Sequence, residues 1–426
     1  MTNKPYVRTE MLSEQPAPLG ETGVLKWMRQ NLFPSIPNGI ISAIAIVAVI
    51  YILMGFLPWV LQPSWNATSL RQCIDDPNIT GACWGVIRDR FNQLMFGFYP
   101  HAEQWRPVVA FILMLVALAP VLFDKLPRKM VWFSMIYPFL AVWLLWGGTI
   151  WGPLMVIAGF AIGYFANKFL TDVVGSLAAI IIAVLATIIW WLYGVGPVAT
   201  GLSSILPIGI AEVKSSDFGG LMLSITIGVS GIALSLPIGI VLALGRQSDM
   251  FIIKTLSVGF IEFIRGVPLI TLLFVASVLL NFFLPPGTNF DLILRVIIMV
   301  TIFASAYMAE VIRGGLAALP TGQYEAADAL GLDYWQSMQL IIMPQALKIS
   351  IPGIVGTFIG LFKDTTLVSI IGLLDPIGLV ASIQGGSDWN GVVWELYTFI
   401  ALMFWVFTFS MSRYSMYLEN KLKTTH

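Results

Sequence analysis

The sequence predicts an all-α polytopic membrane protein of about ten transmembrane helices, and three observations carry that prediction. First, 58% of the 426 residues are hydrophobic and only 11% are charged, against roughly a quarter charged in a soluble domain. Second, apolar stretches of about 20 residues, the length that crosses a bilayer as a helix, recur along the chain. The short alternating segments of a β-barrel do not. Third, when those stretches are threaded alternately through a membrane, 16 of the 23 Lys and Arg residues fall on one side, six on the other, and Lys363 inside a span. The positive-inside rule makes the richer side the cytoplasm.

Taken in order, residues 1–38 form a polar leader with Lys4, Arg8, Lys26 and Arg29, expected in the cytoplasm. The run GIISAIAIVAVIYILMGFLPWVL is too long for a signal-peptide core and ends without a small-residue cleavage site, so it stays as an anchor. Spans are expected at 39–61, 107–123, 131–148, 152–167, 173–194, 219–244, 256–284, 290–313, 347–374 and 394–414, which puts both termini in the cytoplasm. The loop 62–106 then faces outward. It holds the only two cysteines, Cys73 and Cys83, which in an oxidising compartment could close a disulfide or remain free thiols. The same loop carries the sequons at Asn66 and Asn78. Residues 195–218 mix Gly, Pro and Ser and read as an outside linker. It divides an amino-terminal extension, 39–194, from a carboxy-terminal five-helix half, 219–426, that is not a repeat of it.

Several chemistries are excluded at this stage. No G-x-x-x-x-G-K-[ST] phosphate loop is present, the two histidines cannot supply a catalytic set, and His101 and His426 are placed on opposite sides of the membrane, so metal binding is not expected. A net charge of zero gives nucleic acid no footing. Transport, conduction, receptor and scaffold roles remain.

The polar stretch 321–344, TGQYEAADALGLDYWQSMQLIIMP, interrupts this apolar chain. Gly314 and Gly315 weaken the preceding helix and Pro320 stops it. Thr321 is then expected to cap a short helix, and Gly331 to take a left-handed C′ position. Asp333 with Gln336 forms a capping-box pattern for a second helix, which Pro344 interrupts. Two short helices meeting at a corner result. Glu325 offers a fixed negative charge, Ala326, Ala327 and Ala329 permit close approach, and Tyr334 and Trp335 offer anchoring area. From composition alone, an amphipathic helix lying on the membrane surface reads equally well.

The spacing of Glu325, Ala326, Ala327, Gly331, Ile341 and Pro344 resembles the EAA loop of permease subunits in ABC importers, with Met343 where that family often has Leu. FGGLMLSITIGVSGIALSLPIGIVLALGR, IEFIRGVPLITLLF, AYMAEVIRGGLAALPTGQYEAADALG and FKDTTLVSIIGLLDP are similar to successive signatures of the polar amino acid importer permeases. The leader YVRTEMLSEQPAP and the added helices resemble the general L-amino acid permease subgroup. The resemblance implies a five-helix permease core that pairs with a second homologous permease chain and takes amino acids from a periplasmic binding protein. It also implies a cytoplasmic ABC ATPase dimer that receives the EAA loop through Glu325, Ala326, Ala327, Gly331 and Pro344. ATP and Mg would sit on those ATPase subunits, with no cofactor on this chain, in a bacterial inner membrane.

Lys363 and Asp364 fall within the ninth expected span. A charge at a helix centre costs on the order of 2.5 to 3.5 kcal/mol, so both must face protein or water. Adjacent helical residues point about 100° apart, which suggests separate partners. One cation and one anion with the Thr365 and Thr366 hydroxyls suit an amino acid substrate, while a polar knot fixing helix packing is the other reading. Gly356 and Gly360 allow a close helix crossing, either between subunits or within the bundle. Glu262–Arg265 and Glu310–Arg313 read as helix-end i,i+3 ion pairs, and Trp190 and Trp191 as interfacial anchors. An ion-coupled secondary transporter or channel without ATPase partners is the alternative function.

Overall fold

The computed structural model describes residues 23–77, 81–279 and 291–422. The sequon at Asn78, most of the leader, His426 and the junction between the seventh and eighth expected spans lie outside them. The chain divides into two compact units, 1–85 and 86–426. Among the described residues nine helices are long and apolar enough to cross a membrane, or ten when one bent pair is counted as a single span.

In the first unit, α1 (Gly23–Asn31) precedes α2 (Ile36–Leu61). The Ser35 side chain caps α2 by accepting from the Asn38 N–H. No residue of α2 is buried, so its whole apolar circumference is left for lipid or another chain. Beyond it, α3 (Leu70–Asp75) is capped by Ser69. Cys73 and Cys83 are joined as a disulfide with their Cα atoms 6.0 Å apart, beside the stacked rings of Trp65 and Trp84.

The second unit begins within α4 (Gly85–Phe96), at Val86, and continues with α5 (Trp105–Leu122) and α6 (Val131–Trp146). A tight hairpin of α7 (Trp151–Val174) and α8 (Ser176–Ile189) follows. Its turn is Gly175, at φ +83°; residues 168–172, between the expected spans 152–167 and 173–194, contain no helix breaker and stay helical. The Trp190 and Trp191 indoles donate to the Met155 and Val156 carbonyls, at 2.8 and 3.1 Å. They fasten the hairpin, where the sequence suggested interfacial anchors.

The expected linker also changes. A π turn at Trp190–Gly194 carries the chain straight into α9 (Val195–Ile205), making one apolar helix from Ala178 to Ile205. Thr200, Ser203 and Ser204 return their hydroxyls to the helix's own carbonyls. This hides the polarity that made the segment read as irregular. Only then does the chain leave the helix and form a two-residue antiparallel pair of β1 (Gly148–Thr149) with β2 (Gly209–Ile210).

The last part comprises α10 (Gly220–Gln247), α11 (Phe251–Gly266), α12 (Leu269–Phe274) and α13 (Leu292–Ala317). After them come α14 (Thr321–Ala329), α15 (Tyr334–Ser337), α16 (Met343–Asp364), α17 (Pro376–Gln384) and α18 (Trp394–Leu422). The seventh expected span is broken. Pro268 forces Val267 into an extended conformation, and the chain bends by 100° between α11 and the run ending at Leu279. Arg295, nearly buried near the start of α13, donates to the Ser277 carbonyl at 3.0 Å and fastens the bent piece. α10 and α13 approach closely because Gly239 has no side chain: a Cβ there would lie 2.7 Å from Met308 Cβ. One apolar core gathers around Leu223, Ile227, Val296 and Val300. Another, around Met308, Ile312, Met338 and Ile342, underlies the polar corner.

Candidate functional site

The corner is built from local signals. Pro320 precedes α14, and the Thr321 hydroxyl does not cap it: Thr321 is already the first helical residue. Gly331 turns the chain at φ +71°, a conformation an L side chain resists. Asp333 accepts from the Gln336 N–H at 2.9 Å, and Gln336 accepts from the Asp333 N–H at 3.2 Å, completing the reciprocal cap. Pro344 does not interrupt the second helix. A π turn at Met338–Ile342 leads into α16, where the proline sits in the first turn and needs no N–H partner.

The faces of the corner are sharply sorted. Ala327 is fully buried, and Gln345 donates to Gln323 at 2.9 Å, tying α14 to α16. Burial raises the pKa of the neighbouring Tyr324 hydroxyl above its usual 10.0. Glu325 and Ala326 are exposed, as are Leu330 at 72%, Trp335 at 66% and Tyr334 at 51%. The carboxylates of Glu325 and Asp328, the small Ala326 side chain and three large apolar side chains therefore face outward from a rigid turn, a surface suited to entering a cleft in another protein.

Beneath the corner lies a charge network. Arg246 at the end of α10 donates to Glu262 at 2.9 Å and to Glu310 at 3.3 Å. Arg265 lies 3.7 Å from Glu310 and 4.0 Å from Glu262, with its guanidinium over the Tyr307 ring. Arg313 pairs with Glu310. The two i,i+3 pairs are therefore parts of one cluster centred on Glu310. Arg246, unmarked in the sequence, joins α10, α11 and α13 at the end from which the corner emerges.

At the far end of α16 the expected substrate residues separate. Lys363 and Asp364 end the α-helix within the apolar run Tyr334–Ile371, and a 3-10 turn from Thr365 to Ile371 follows, closed by Gly372 at φ +89°. Thr365 is fully buried and its hydroxyl donates to the Phe362 carbonyl at 2.8 Å. Thr366 donates to the Lys363 carbonyl at 2.9 Å. Lys363 is exposed and Asp364 half-buried. Beyond their own helix backbone, Gly356 and Gly360 have nothing within 4 Å of their missing Cβ positions among the described residues. With Lys363 they follow an i, i+4, i+7 spacing and share one open face.

Residues 235–424 match the family described as binding-protein-dependent transport system inner membrane component. Over the full length of both proteins the chain is 57% identical to the glutamate/glutamine/aspartate/asparagine transport system permease protein BztC of Rhodobacter capsulatus. The chain belongs to this family of ABC transporter permeases. It is also 40% identical to the inner membrane amino-acid ABC transporter permease protein YhdY of Escherichia coli K12, covering 97% of this chain and 98% of that one. A shorter relative, the probable glutamine ABC transporter permease protein GlnP of Bacillus subtilis, is 33% identical over 47% of this chain and 90% of its own length.

Within this permease the structure adds residues that sequence reasoning passed over. Arg295 was visible as a charge in an apolar run. Asp375 was not, since an aspartate before a proline is common in turns. It is fully buried, caps α17 through the Ile377 and Gly378 N–H groups at 3.2 and 2.9 Å, and burial raises its pKa to about 6 against those two donors. Arg106, 2% exposed, pairs with Glu103 at 2.6 Å and donates to the Ala211 carbonyl. The bridges Gly97–Phe218 and Gly219–Leu374 knit the same end of the permease together. Among the described residues no cluster of His, Cys, Asp and Glu could hold a metal ion.

Proposed function

We propose that this chain is the transmembrane permease subunit of an ATP-driven amino acid importer in a bacterial inner membrane, with both termini in the cytoplasm. The observation that carries the reading is the corner: Glu325 and Ala326 point outward while Ala327 anchors the turn in the core. A cytoplasmic ABC ATPase dimer, which holds ATP and Mg, receives that corner. Glu325 and Ala326 make the contact, and Ala327, Gly331 and Pro344 keep its shape. The chain itself is not the enzyme. A second permease of the same family covers Gly356 and Gly360 and shares a translocation path with Lys363, Asp364 and Thr366, with Thr365 supporting them from the core. A periplasmic binding protein delivers the substrate. The relatives named for glutamate, glutamine, aspartate and asparagine, and for amino acids at large, support an amino acid whose carboxylate Lys363 would meet.

The division into an amino-terminal extension (39–194) and a permease core (219–426, with the EAA loop at 321–344) is part of this proposal. It is supported by relatives that match only about half of the chain. The disulfide between Cys73 and Cys83 would then stand on the oxidising, periplasmic side. The deciding experiment is Glu325→Lys. Complex abundance stays at the wild-type level, while ATP-coupled uptake falls at least about tenfold, because a cation is presented where the ATPase cleft expects an anion. Undiminished uptake overturns the coupling role.

A further inference from the structure

One groove in the second unit belongs to none of these parts. It opens where α5 ends, α6 begins and the last turns of α18 return. Three contacts hold these ends in place. The Tyr414 hydroxyl donates to the Leu122 carbonyl, the Phe123 ring meets Tyr414 edge-on at 6.0 Å, and Lys421 Nζ lies 2.7 Å from Asp124 Oδ1. The space between them is about 740 Å³. Its wall is apolar, with Val121, Trp132, Met135 and Leu418, and its rim carries Arg128 and the Asp124–Lys421 pair. Trp132 is among the lining residues and is 69% exposed overall.

Charge at the rim is unbalanced. Lys125, Arg128 and Lys129 are all exposed, and none has a salt-bridge partner among the described residues. Asp124, the carboxylate of the groove lining, is taken by Lys421, which pulls its pKa below the usual carboxylate range. The connecting loop and the groove lining thus carry four cations against one anion. Cations at the helix ends, an indole beside them and aliphatic side chains one to two turns deeper reproduce the order of chemistry met on descending into one leaflet of a bilayer. A soluble anion would have no use for the apolar wall, and an apolar helix would leave three cations unpaired. Basic pockets between helix ends at a membrane surface suit anionic headgroups.

We infer that this groove binds an anionic phospholipid. The phosphodiester sits at Arg128 with Lys125 and Lys129 around it, and an acyl chain lies along Trp132 and Met135. The lipid then fills the gap between the α5–α6 turn and α18, giving the added helices a lipid-mediated hold on the last helix of the core.

The test uses the full chain with whatever subunits travel with it. The assembly is reconstituted in nanodiscs of equal phosphatidylglycerol and phosphatidylcholine with matched acyl chains, then gently extracted and examined by native mass spectrometry. Wild type retains phosphatidylglycerol in preference. Arg128→Gln lowers that retention about fivefold, the effect of one cation near an anionic surface, and the triple change of Lys125, Arg128 and Lys129 to Gln abolishes the preference. Asp124→Asn moves the result the other way: it adds net positive charge, frees Lys421, leaves the basic loop intact and raises phosphatidylglycerol retention. Equal retention of the two lipids by wild type, or no response to either Arg128→Gln or Asp124→Asn, overturns the proposal. So does displacement of the lipid by millimolar glycerol phosphate, which would make the site one for free phosphate esters. A photo-crosslinker at position 132 that captures a protein chain in place of lipid assigns the groove to a partner and likewise overturns it.

Discussion

A lysine on an uncovered helix face and an aspartate with no exposed surface make opposite demands on the chain. The Lys363 ammonium makes no hydrogen bond with a described residue and shares its face with two open glycines. Lys363→Met should therefore leave the fold and abundance of the assembled complex unchanged while substrate-stimulated ATP turnover falls at least about tenfold, roughly the value of one charge-assisted hydrogen bond. Loss of the complex itself would assign Lys363 to packing. Asp375 works through burial. A carboxyl whose folded-state pKa is raised from 3.8 to about 6 favours its protonated form, so the ionised form costs stability. That cost is absent below pH 4, grows as pH rises from 4 to 6 and stays constant above. Asp375→Asn retains an oxygen for the cap without the charge. It should raise the unfolding temperature at pH 7 by several degrees and leave it unchanged at pH 4, as read by thermal unfolding in detergent. Gly331 and the Asp333–Gln336 box were legible in the sequence because capping needs only residues within three or four positions. Arg246 was not, because its partners on α11 and α13 are 16 and 64 residues away.

Among elements, the π turns explain most of what the hydrophobic pattern missed. Pro344 and the Gly–Pro-rich run after Trp191 both read as breaks. In each case a five-residue widening of the helix, Met338–Ile342 and Trp190–Gly194, carries the chain past them. A π turn has no composition signal, since it depends on neighbouring helices accepting the displaced side chains. The 100° bend at Pro268 was within reach, because a residue before proline avoids the helical region. It was hidden by apolar residues on both sides. α10 and α13 make the most intimate contact in the second unit, and Gly239 sets its distance. Gly239→Val would drive a branched side chain into Met308, costing about 1 to 3 kcal/mol as an overpacked core. The expected outcome is a lower unfolding temperature with membrane insertion unchanged. Gly356→Val should leave the isolated chain's unfolding temperature unchanged, because beyond the local helix backbone no described residue lies within 4 Å of where its Cβ would stand.

For the whole molecule, the proposal asks that the chain never act alone. Gentle purification should bring down an ATPase subunit and a second permease chain together, and uptake should stop on ATP depletion while an ion gradient is held. Uptake that survives on the gradient would favour the secondary-transporter alternative. The sequence by itself determined that the chain is a multi-pass helical membrane protein, approximately where its spans lie and to which transporter family it belongs. Hydrophobic length, basic-residue asymmetry and the EAA spacing are all written in consecutive residues. Only the tertiary structure decided which face of the corner is free, that Glu310 gathers three arginines from three helices, and that Thr365 turns inward while Lys363 turns out. Such facts depend on which helices meet and at what rotation, and those follow from packing between segments tens to hundreds of residues apart, which no local pattern records.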